Sequence, residues 1–275
     1  MTKPLLLITT IILLMSSCKK SSNSNEEPEN VTPNIPTIQS CVLSSWNDIN
    51  GLEIKYTYDA QGRITGENIA APNFYELPSS RKFEWKSDKI TVTEAPANRS
   101  YDLSLTSNRV SRFTFLPDRY STVTYSNDGY ISKISDYKIS DNTLLLTKEF
   151  LYTAGNLTSI ISTRGIGTAS VIKETYLLDY YVDKKAIDGA DIGLNNFILP
   201  NWDLSDAFAP YQLPAGIFGK SSTNLLKSVR YPLGEESFNF IYDFDAAGKP
   251  IKMTYKEPNS KGGLNIVSFN YICPN

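Results

Sequence analysis

The residues best placed to do chemistry are two aspartates beside two aromatic side chains. Asp203 and Asp206 lie three positions apart, Trp202 precedes the first of them, and Tyr211 follows shortly after. Two neighbouring carboxylates can serve as acid and base in glycoside hydrolysis. Aromatic faces with nearby acids can instead hold a sugar ring that is not cleaved. The four residues are therefore a candidate ligand site, and Asp203 with Asp206 is a candidate catalytic pair.

The remainder of the chain lacks the residue types on which most catalytic sites depend. It contains no histidine, so the commonest general base and the commonest transition-metal ligand are missing. It has no glycine-rich phosphate loop. Asp188 and Asp191 form a faint calcium-like cluster without the dense acids of a calcium loop. We predict no enzyme, no cofactor and no metal site.

The first residues predict export and a lipid anchor. Lys3 is followed by an apolar run, 5–15, which is too short for a membrane-spanning helix of about 20 residues but typical of a secretory signal. The sequence M-S-S-C that ends at Cys18 resembles a bacterial lipobox. This resemblance implies that residues 1–17 are removed and that Cys18 carries the lipid that holds the protein at a membrane. The alternative is an ordinary signal peptide with an incidental cysteine.

A polar segment, 18–39, separates the anchor from the part of the chain that can fold. It is rich in Ser, Asn, Glu and Pro, so it cannot bury enough surface to offset the entropy lost on ordering. We interpret it as a flexible tether. Lys19 and Lys20 stand where many surface-exported lipoproteins of Bacteroidota carry acids, and we therefore expect the outer membrane with the domain facing the periplasm.

The two remaining cysteines stand near the two ends of the predicted domain, 40–275. Export would place Cys41 and Cys273 in an oxidising compartment. They form either a disulfide that ties the first strand to the last or two buried, unpaired thiols. A disulfide requires the two ends of the sheet to meet.

A short strand–turn–strand phrase recurs along the domain. It is clearest at YTYDAQGRI, 56–64, and returns at FDAAGKPI, 244–251. Looser copies are FEWKSDKI (83–90), LSLTSNRV (103–110), VTYSNDGYI (123–131) and FLYTAGNL (150–157). The Gly, Asn or Asp in each copy suits the positive φ angles of tight hairpin turns. The repeat predicts a succession of β-hairpins.

Apolar and polar residues alternate with a period of two on both sides of these turns. Ile54, Tyr56 and Tyr58 share one face, and Lys55 and Thr57 share the other. Such alternation is typical of an antiparallel sheet with one buried and one solvated face. We predict an all-β fold, an antiparallel meander of hairpins that forms a large curled sheet or a barrel-like soluble domain.

Two resemblances follow from these motifs. The stretch 56–65 resembles one unit of the YD repeats of Rhs-type proteins, and Tyr242 to Ile251 is a looser second copy. The general layout is similar to a group of Bacteroidota lipoproteins of unknown function with a porin-like fold, which share the lipobox, the polar tether, an early Cys, the hairpin units and a terminal aromatic-x-Cys, here Tyr271 to Cys273. This second resemblance implies a fold and an envelope location, and it implies no activity.

Residues 184–224 break the repeat. Pro200, Pro210 and Pro214 are incompatible with the interior of a regular sheet, yet the segment has too many apolar residues for a solvated loop. We interpret it as an irregular insertion that acts as a plug over an open end of the curled sheet. The functional alternative is that its Trp202 and Tyr211 form a ligand platform at the mouth of the barrel.

The net charge of −2 and the absence of a long basic run argue against nucleic acid as a partner. The sequence favours a lipid-anchored monomer without catalytic activity that binds a glycan or another envelope protein. The alternatives are a structural or assembly component of the outer membrane and, as the least favoured, a carbohydrate-active enzyme.

Overall fold

The described part of the chain consists of antiparallel strands joined in sequence order. The computed structural model of the protein describes residues 41–49, 51–70, 80–186, 218–230, 232, 237–256 and 264–273. The strands are β1 Val42–Asp48, β2 Glu53–Tyr58, β3 Ile64–Ala70, β4 Ser80–Trp85, β5 Lys89–Ala95, β6 Arg99–Thr106, β7 Arg109–Leu116, β8 Arg119–Tyr125, β9 Ile131–Lys138, β10 Leu144–Thr153, β11 Asn156–Arg164, β12 Ile172–Lys185, β13 Asn224–Arg230, β14 Ser237–Phe244, β15 Pro250–Tyr255 and β16 Asn265–Ile272. Among these described residues, no helix has the length and apolarity to span a bilayer.

The 16 strands form a closed barrel in which each strand pairs with its neighbours in sequence. Closure comes from β1 and β16, which are paired from Val42↔Ile272 to Asp48↔Val267. The prediction of an all-β antiparallel meander is therefore confirmed, and the alternative of a sheet that curls without closing does not apply. Closure leaves neither β1 nor β16 as an open edge that could pair with another chain.

Much of the inner face of the barrel is lined with apolar side chains. Ile54, Ile90, Leu103, Val110 and Val229 are each 0% exposed. Porins of 16 to 18 strands enclose an aqueous channel, whereas these side chains are excluded from solvent. The part of the interior that they line is therefore a packed core.

The outer face has the opposite character. Ion pairs on it join Lys55 to Glu53 at 2.9 Å, Lys82 to Glu84 at 2.7 Å and Lys133 to Glu149 at 3.6 Å. The outer face of a membrane-spanning barrel carries an apolar band where its strands meet lipid. The outer face carries charges at these positions.

Alternate connections of an antiparallel meander lie at opposite ends of the barrel. One end, which we call the hairpin end, contains the short turns 59–63, 86–88, 107–108, 126–130, 154–155 and 245–249. It also contains the start of β1, the finish of β12, the start of β13 and the finish of β16. The other end, which we call the loop end, contains the connections 96–98, 117–118, 139–143 and 165–171, among others. The repeated phrases of the sequence all fall at the hairpin end.

The turn at 59–63 shows why the phrase contains Asp and Gly. The Asp59 carboxylate oxygen Oδ1 accepts hydrogen bonds from the backbone N–H groups of Gln61 and Arg63, both at 2.9 Å. Gly62 has a φ of +74°, which a residue without a side chain adopts freely. The turn at 245–249 repeats these contacts, with Asp245 Oδ1 accepting from Ala247 and Lys249 at 2.9 and 2.8 Å.

The aromatic residue that precedes many of these turns also has a repeated role. The Tyr58 hydroxyl donates to the carbonyl of Leu43 at 2.5 Å, and Trp85 Nε1 donates to that of Ile64 at 2.7 Å. The same contact links the Tyr125 hydroxyl to Val110 at 2.6 Å and the Tyr271 hydroxyl to Pro250 at 2.7 Å. Each of these side chains therefore forms a hydrogen bond between its own strand and the preceding strand at the hairpin end.

The predicted insertion, 184–224, is described only at its two ends. β12 continues to Lys185 and β13 begins at Asn224, so both ends of the predicted segment belong to strands. The Lys220 N–H donates to the carbonyl of Gly129 at 2.9 Å, and the Phe218 ring lies 6.1 Å from that of Phe113. The final residues of the insertion thus pack at the hairpin end, and the rest of the predicted plug lies outside the described residues.

Candidate functional site

A row of charged side chains crosses the inner face of the barrel toward the loop end. The strand register places Glu67 opposite Arg81, Arg81 opposite Glu94, and Glu94 opposite Arg99. Glu67, Arg81 and Glu94 are only 1%, 4% and 2% exposed. Glu67 and Glu94 share their strand face with buried apolar residues two positions away, Ile69 and Val92. The row is therefore part of the barrel interior.

The two buried carboxylates in this row differ in their number of arginine partners. Glu94 accepts hydrogen bonds from Arg81 Nε at 2.8 Å and from Arg99 Nε at 2.9 Å. Glu67 accepts from Arg81 Nη1 at 3.1 Å through Oε2, whereas its Oε1 has no hydrogen-bond partner among the described residues. Burial raises the pKa of Glu67 to about 7, against the lowering effect of Arg81, because desolvation disfavours the ionised form.

A second polar group lies on the inner face of β8 to β11. The Ser121 hydroxyl donates to Asp136 Oδ1 at 2.5 Å, and Lys148 lies opposite Ser162 in the register. Burial raises the pKa of Asp136. Burial also lowers the pKa of Lys148 to about 8, although the nearby Asp136 charge acts in the other direction. The loop half of the interior is thus polar on both β3 to β6 and β8 to β11.

The seam between β6 and β7 lies next to the first of these groups. The ladder between β6 and β7 runs from Leu103↔Phe113 to Thr106↔Arg109, so Arg99 to Asp102 lie beyond its last pair. A cleft of about 390 Å³ occupies this seam. It is lined by Ser100, Tyr101, Asp102, Ser104, Arg112, Phe113 and Thr114.

The lining of the cleft includes two buried aromatic residues, Tyr101 and Phe113, which are 8% and 2% exposed. The Tyr101 hydroxyl lies 3.4 Å from Glu94 Oε1, to which it donates a hydrogen bond. Burial raises the pKa of Tyr101, so its hydroxyl keeps its proton in the neutral pH range. Tyr101 therefore connects the cleft with the charged row behind it.

The rim of the cleft carries one acid and one base. Asp102 accepts hydrogen bonds from Lys89 Nζ at 2.6 Å and from Thr91 Oγ1 at 2.7 Å. These bonds lower the pKa of Asp102, so it is ionised and its charge is matched by Lys89. Arg112 has its guanidinium carbon 3.9 Å from the ring centre of Tyr120, and it forms no ion pair within the described ranges. The unmatched charge on the rim is therefore positive.

This arrangement can bind a polar molecule through hydrogen bonds and one positive charge. The lining supplies hydroxyl groups from Ser100, Ser104 and Thr114, which donate and accept. Within the part of the chain that the structure describes, no cluster of acids or cysteines could hold a metal ion. The cleft is a candidate binding site.

Most of the site residues predicted from the sequence fall where the structure describes nothing. Cys18, Trp202, Asp203, Asp206 and Tyr211 all lie outside the described residues. The ligand-platform hypothesis and the lipid anchor therefore stay predictions.

Cys41 and Cys273 are joined in a disulfide at the hairpin end. Lys249 Nζ lies 3.1 Å from the Cys273 sulfur. The bond links the residue that precedes β1 to the residue that follows β16, so it lies beside the seam where the barrel closes.

Neither the charged row nor the cleft is among the sites predicted from the sequence. A signal for the row was present, because Glu94 follows Ile90 and Val92 at the same period of two, and Glu67 stands two residues before Ile69. A charge on an otherwise apolar strand face indicates a buried polar partner. The cleft had no such signal, since it depends on where the pairing of β6 and β7 ends.

Comparison with known proteins shows the fold. No family model and no curated protein matches the chain. A solved structure of a porin-like protein from Bacteroides uniformis is similar over 84% of this chain and 98% of that chain, with a TM-score of 0.58 and 14% sequence identity. A porin-like protein from Bacteroides vulgatus gives the same coverage, with a TM-score of 0.57 and 13% identity. The chain therefore has a porin-like barrel fold.

Proposed function

We propose that this chain is a lipid-anchored protein of the bacterial envelope that binds a ligand in the β6–β7 cleft without transforming it. The observation that carries the proposal is the cleft itself, a polar cavity at the seam between β6 and β7 of a barrel with a packed apolar core. A barrel of this kind cannot serve as an open conduit. It can serve as a rigid support for a site on its side.

The location is supported by independent features. Residues 1–17 have the properties of a secretory signal, and Cys18 is the lipidation site in this proposal. The disulfide between Cys41 and Cys273 requires an oxidising compartment. The charged outer face and the polar tether, 18–39, suit a barrel held beside the membrane. We place it at the outer membrane, facing the periplasm, as a monomer.

The absence of catalysis is also part of the proposal. The chain has no histidine, and the buried acids Glu67 and Glu94 are held by Arg81 rather than directed at the cleft. Glu94 reaches the cleft only through the Tyr101 hydroxyl. These contacts favour a site that recognises a molecule over one that reacts with it.

The binding role is tested by blocking the cleft. Glycans and envelope peptides are screened against the wild-type protein and the Ser104→Trp variant, whose indole would fill the cleft. Ser268→Trp is the matched control, because Ser268 is a half-buried serine on β16, outside the cleft strands. We expect a ligand that binds the wild type and the control and is lost from Ser104→Trp. Equal binding of every ligand by all three proteins would show that the cleft is not the site.

The anchor is tested separately by fractionation. Cys18→Ala should release the protein from the membrane fraction and abolish labelling by a fatty-acid analogue. Protease treatment of intact cells, with lysed cells as the control, then reports the face of the membrane. Digestion in intact cells would contradict the periplasmic orientation, and membrane retention of unlabelled Cys18→Ala would contradict the lipid anchor.

A further inference from the structure

The charges around the β6–β7 cleft limit what it can hold. Asp102 is matched by Lys89 at 2.6 Å, and Glu94, which accepts a hydrogen bond from Tyr101, is matched by Arg81 and Arg99. Arg112 lacks a carboxylate partner within the described ranges and borders the cleft. A ligand that neutralises the site would therefore carry one negative charge.

Arg112 is also held in a fixed plane. Its guanidinium lies over Tyr120 at 3.9 Å, and Tyr120 is stacked on Tyr137 with 5.1 Å between ring centres. The Tyr120 hydroxyl donates to Asn142 at 3.0 Å, which fixes the ring further. Stacking occupies the face of a guanidinium and leaves the N–H groups at its edge, which match the two oxygens of a carboxylate.

The remaining lining is suited to hydroxyl groups. Ser100, Ser104 and Thr114 each offer a hydroxyl, and Asp102 has lone pairs beyond those that accept from Lys89 and Thr91. The volume of about 390 Å³ lies within the usual range for small-ligand sites.

We propose that the β6–β7 cleft binds a sugar acid, with Arg112 on the carboxylate and Asp102 and the serine and threonine hydroxyls on the ring hydroxyls. The proposal rests on the binding function proposed above and names its ligand class. A phosphate dianion fits less well, because its second charge would face Asp102 with no further cation on the rim. A neutral sugar would leave the Arg112 charge unmatched.

The test is calorimetric titration of the full-length chain in detergent. The probes are D-glucuronate and D-galacturonate, with D-glucose and D-galactose as neutral counterparts, and acetate and phosphate as anions without a sugar ring. We expect at least one sugar acid to bind more than tenfold more tightly than its neutral counterpart and than either simple anion, since a hydrogen bond to a charged group contributes about 1.5–3 kcal/mol.

Two variants test whether Arg112 supplies the positive charge that binds the sugar acid. Arg112→Gln should weaken sugar-acid binding about tenfold or more and leave neutral-sugar binding unchanged. Arg109→Gln is the matched control, because Arg109 lies on the same strand with its guanidinium 4.4 Å from the Tyr125 ring, at the hairpin end. It should bind the sugar acid as the wild type does. Circular dichroism confirms that each variant is folded.

Three results would overturn the proposal. They are equal affinity for the sugar acid and its neutral counterpart, unchanged affinity in Arg112→Gln, and no heat of binding for either sugar acid at millimolar concentration. Neutral-sugar binding that disappears in Ser104→Trp would overturn only the sugar-acid inference, because the cleft would still be a binding site. Sugar-acid binding that survives in Ser104→Trp would instead overturn the proposed site itself.

Discussion

The two halves of the barrel interior are equally buried but chemically different. Toward the hairpin end, Ile90, Val110 and Leu157 are at most 1% exposed. Toward the loop end, Glu67 and Arg81 are 1% and 4% exposed. The hairpin half removes apolar surface from water, which stabilises the fold by roughly 25 cal/mol per Å². The loop half removes charges from water, which costs free energy that ion pairing only partly offsets.

This difference assigns separate roles to the two ends. The hairpin end collects the repeated turns, the aromatic side chains bonded to neighbouring strands, and the Cys41–Cys273 disulfide. The loop half contains the charged row, and the cleft lies where β6 and β7 stop pairing. Stability is thus concentrated at one end and the candidate binding chemistry at the other. Variants in the two halves should therefore respond differently to pH and to reduction.

The largest expected effect comes from the disulfide. The bond joins residues 232 positions apart, and the chain-entropy model assigns about 5 kcal/mol to the closure of so long a loop. Reduction, or the Cys41→Ser/Cys273→Ser variant, should lower the free energy of unfolding by up to about that amount in urea titrations. Hydrogen exchange should rise first in β1 and β16, at the hairpin end.

The control for this prediction is the same reductant applied to the double serine variant. It should leave the unfolding midpoint of that variant unchanged, because no bond remains to be broken. A wild-type midpoint that is identical with and without reductant would show that the bond does not stabilise the barrel.

Removal of Arg81 should have the next largest effect. Arg81→Met leaves Glu67 buried without a cation, and breaking a buried ion pair in this way costs about 3–5 kcal/mol. The loss should grow as pH rises above about 7, the folded pKa of Glu67 in the wild type. Above that pH the wild-type carboxyl is ionised beside Arg81, whereas the variant must hold its proton or keep an unpaired charge. Urea titrations at pH 6 and pH 9 measure the difference.

Ile90→Ala in the hairpin half is the matched comparison. Ile90 is 0% exposed, and its truncation should cost about 2–5 kcal/mol through the cavity it leaves. That cost should be the same at both pH values, because no titratable group is removed. A pH-independent loss in Arg81→Met would show that Glu67 does not respond to the missing cation.

The sequence predicted the hairpin end better than the loop end, and the reason is physical. A tight turn is specified by a few adjacent residues, so Asp59 and Gly62 are enough to predict the hairpin at 59–63. The period of two in Ile54, Tyr56 and Tyr58 likewise reveals which face is buried. All-β architecture and antiparallel order therefore followed from short-range pattern.

Closure and the cleft depend on contacts that no short pattern records. The pairing of β1 with β16 joins residues at the two ends of the domain, such as Val42 and Ile272. The cleft depends on the point at which β6 and β7 diverge, beyond Leu103↔Phe113. The position of Glu94 on an apolar strand face indicates a buried charge. Its partner Arg81 is identified only by the strand register.

Glu67→Gln should have a smaller effect, and it should raise the free energy of unfolding instead of lowering it. Burial raises the pKa of Glu67 from 4.5 to about 7, so the folded state holds this proton more tightly than the unfolded chain does. The stability contributed by the proton is complete below pH 4.5 and is lost as pH rises to about 7. Glutamine does not titrate, so the variant should gain up to about 3 kcal/mol relative to the wild type over this interval.

Unfolding free energies measured from pH 4 to pH 8 test this prediction. The free energy of unfolding of the variant minus that of the wild type should rise between pH 4.5 and about pH 7 and then level off. The same series on Ile90→Ala should give a constant difference from the wild type. A flat difference for Glu67→Gln would mean that the Glu67 carboxyl has an ordinary pKa in the folded protein.

The smallest expected effect contrasts one glycine at each end. Gly62, in a hairpin-end turn, has a φ of +74°, and no described atom lies within 4 Å of the position that a Cβ would take. Gly62→Ala should therefore cost only the left-handed backbone conformation, about 1 kcal/mol. Gly165, in the loop-end connection after β11, has a φ of +70°, and there a Cβ would collide with the Ser170 carbonyl oxygen. Gly165→Ala should cost more in parallel urea titrations, because backbone must move as well. Equal costs would show that the loop-end connection accommodates the added methyl group without a further loss of stability.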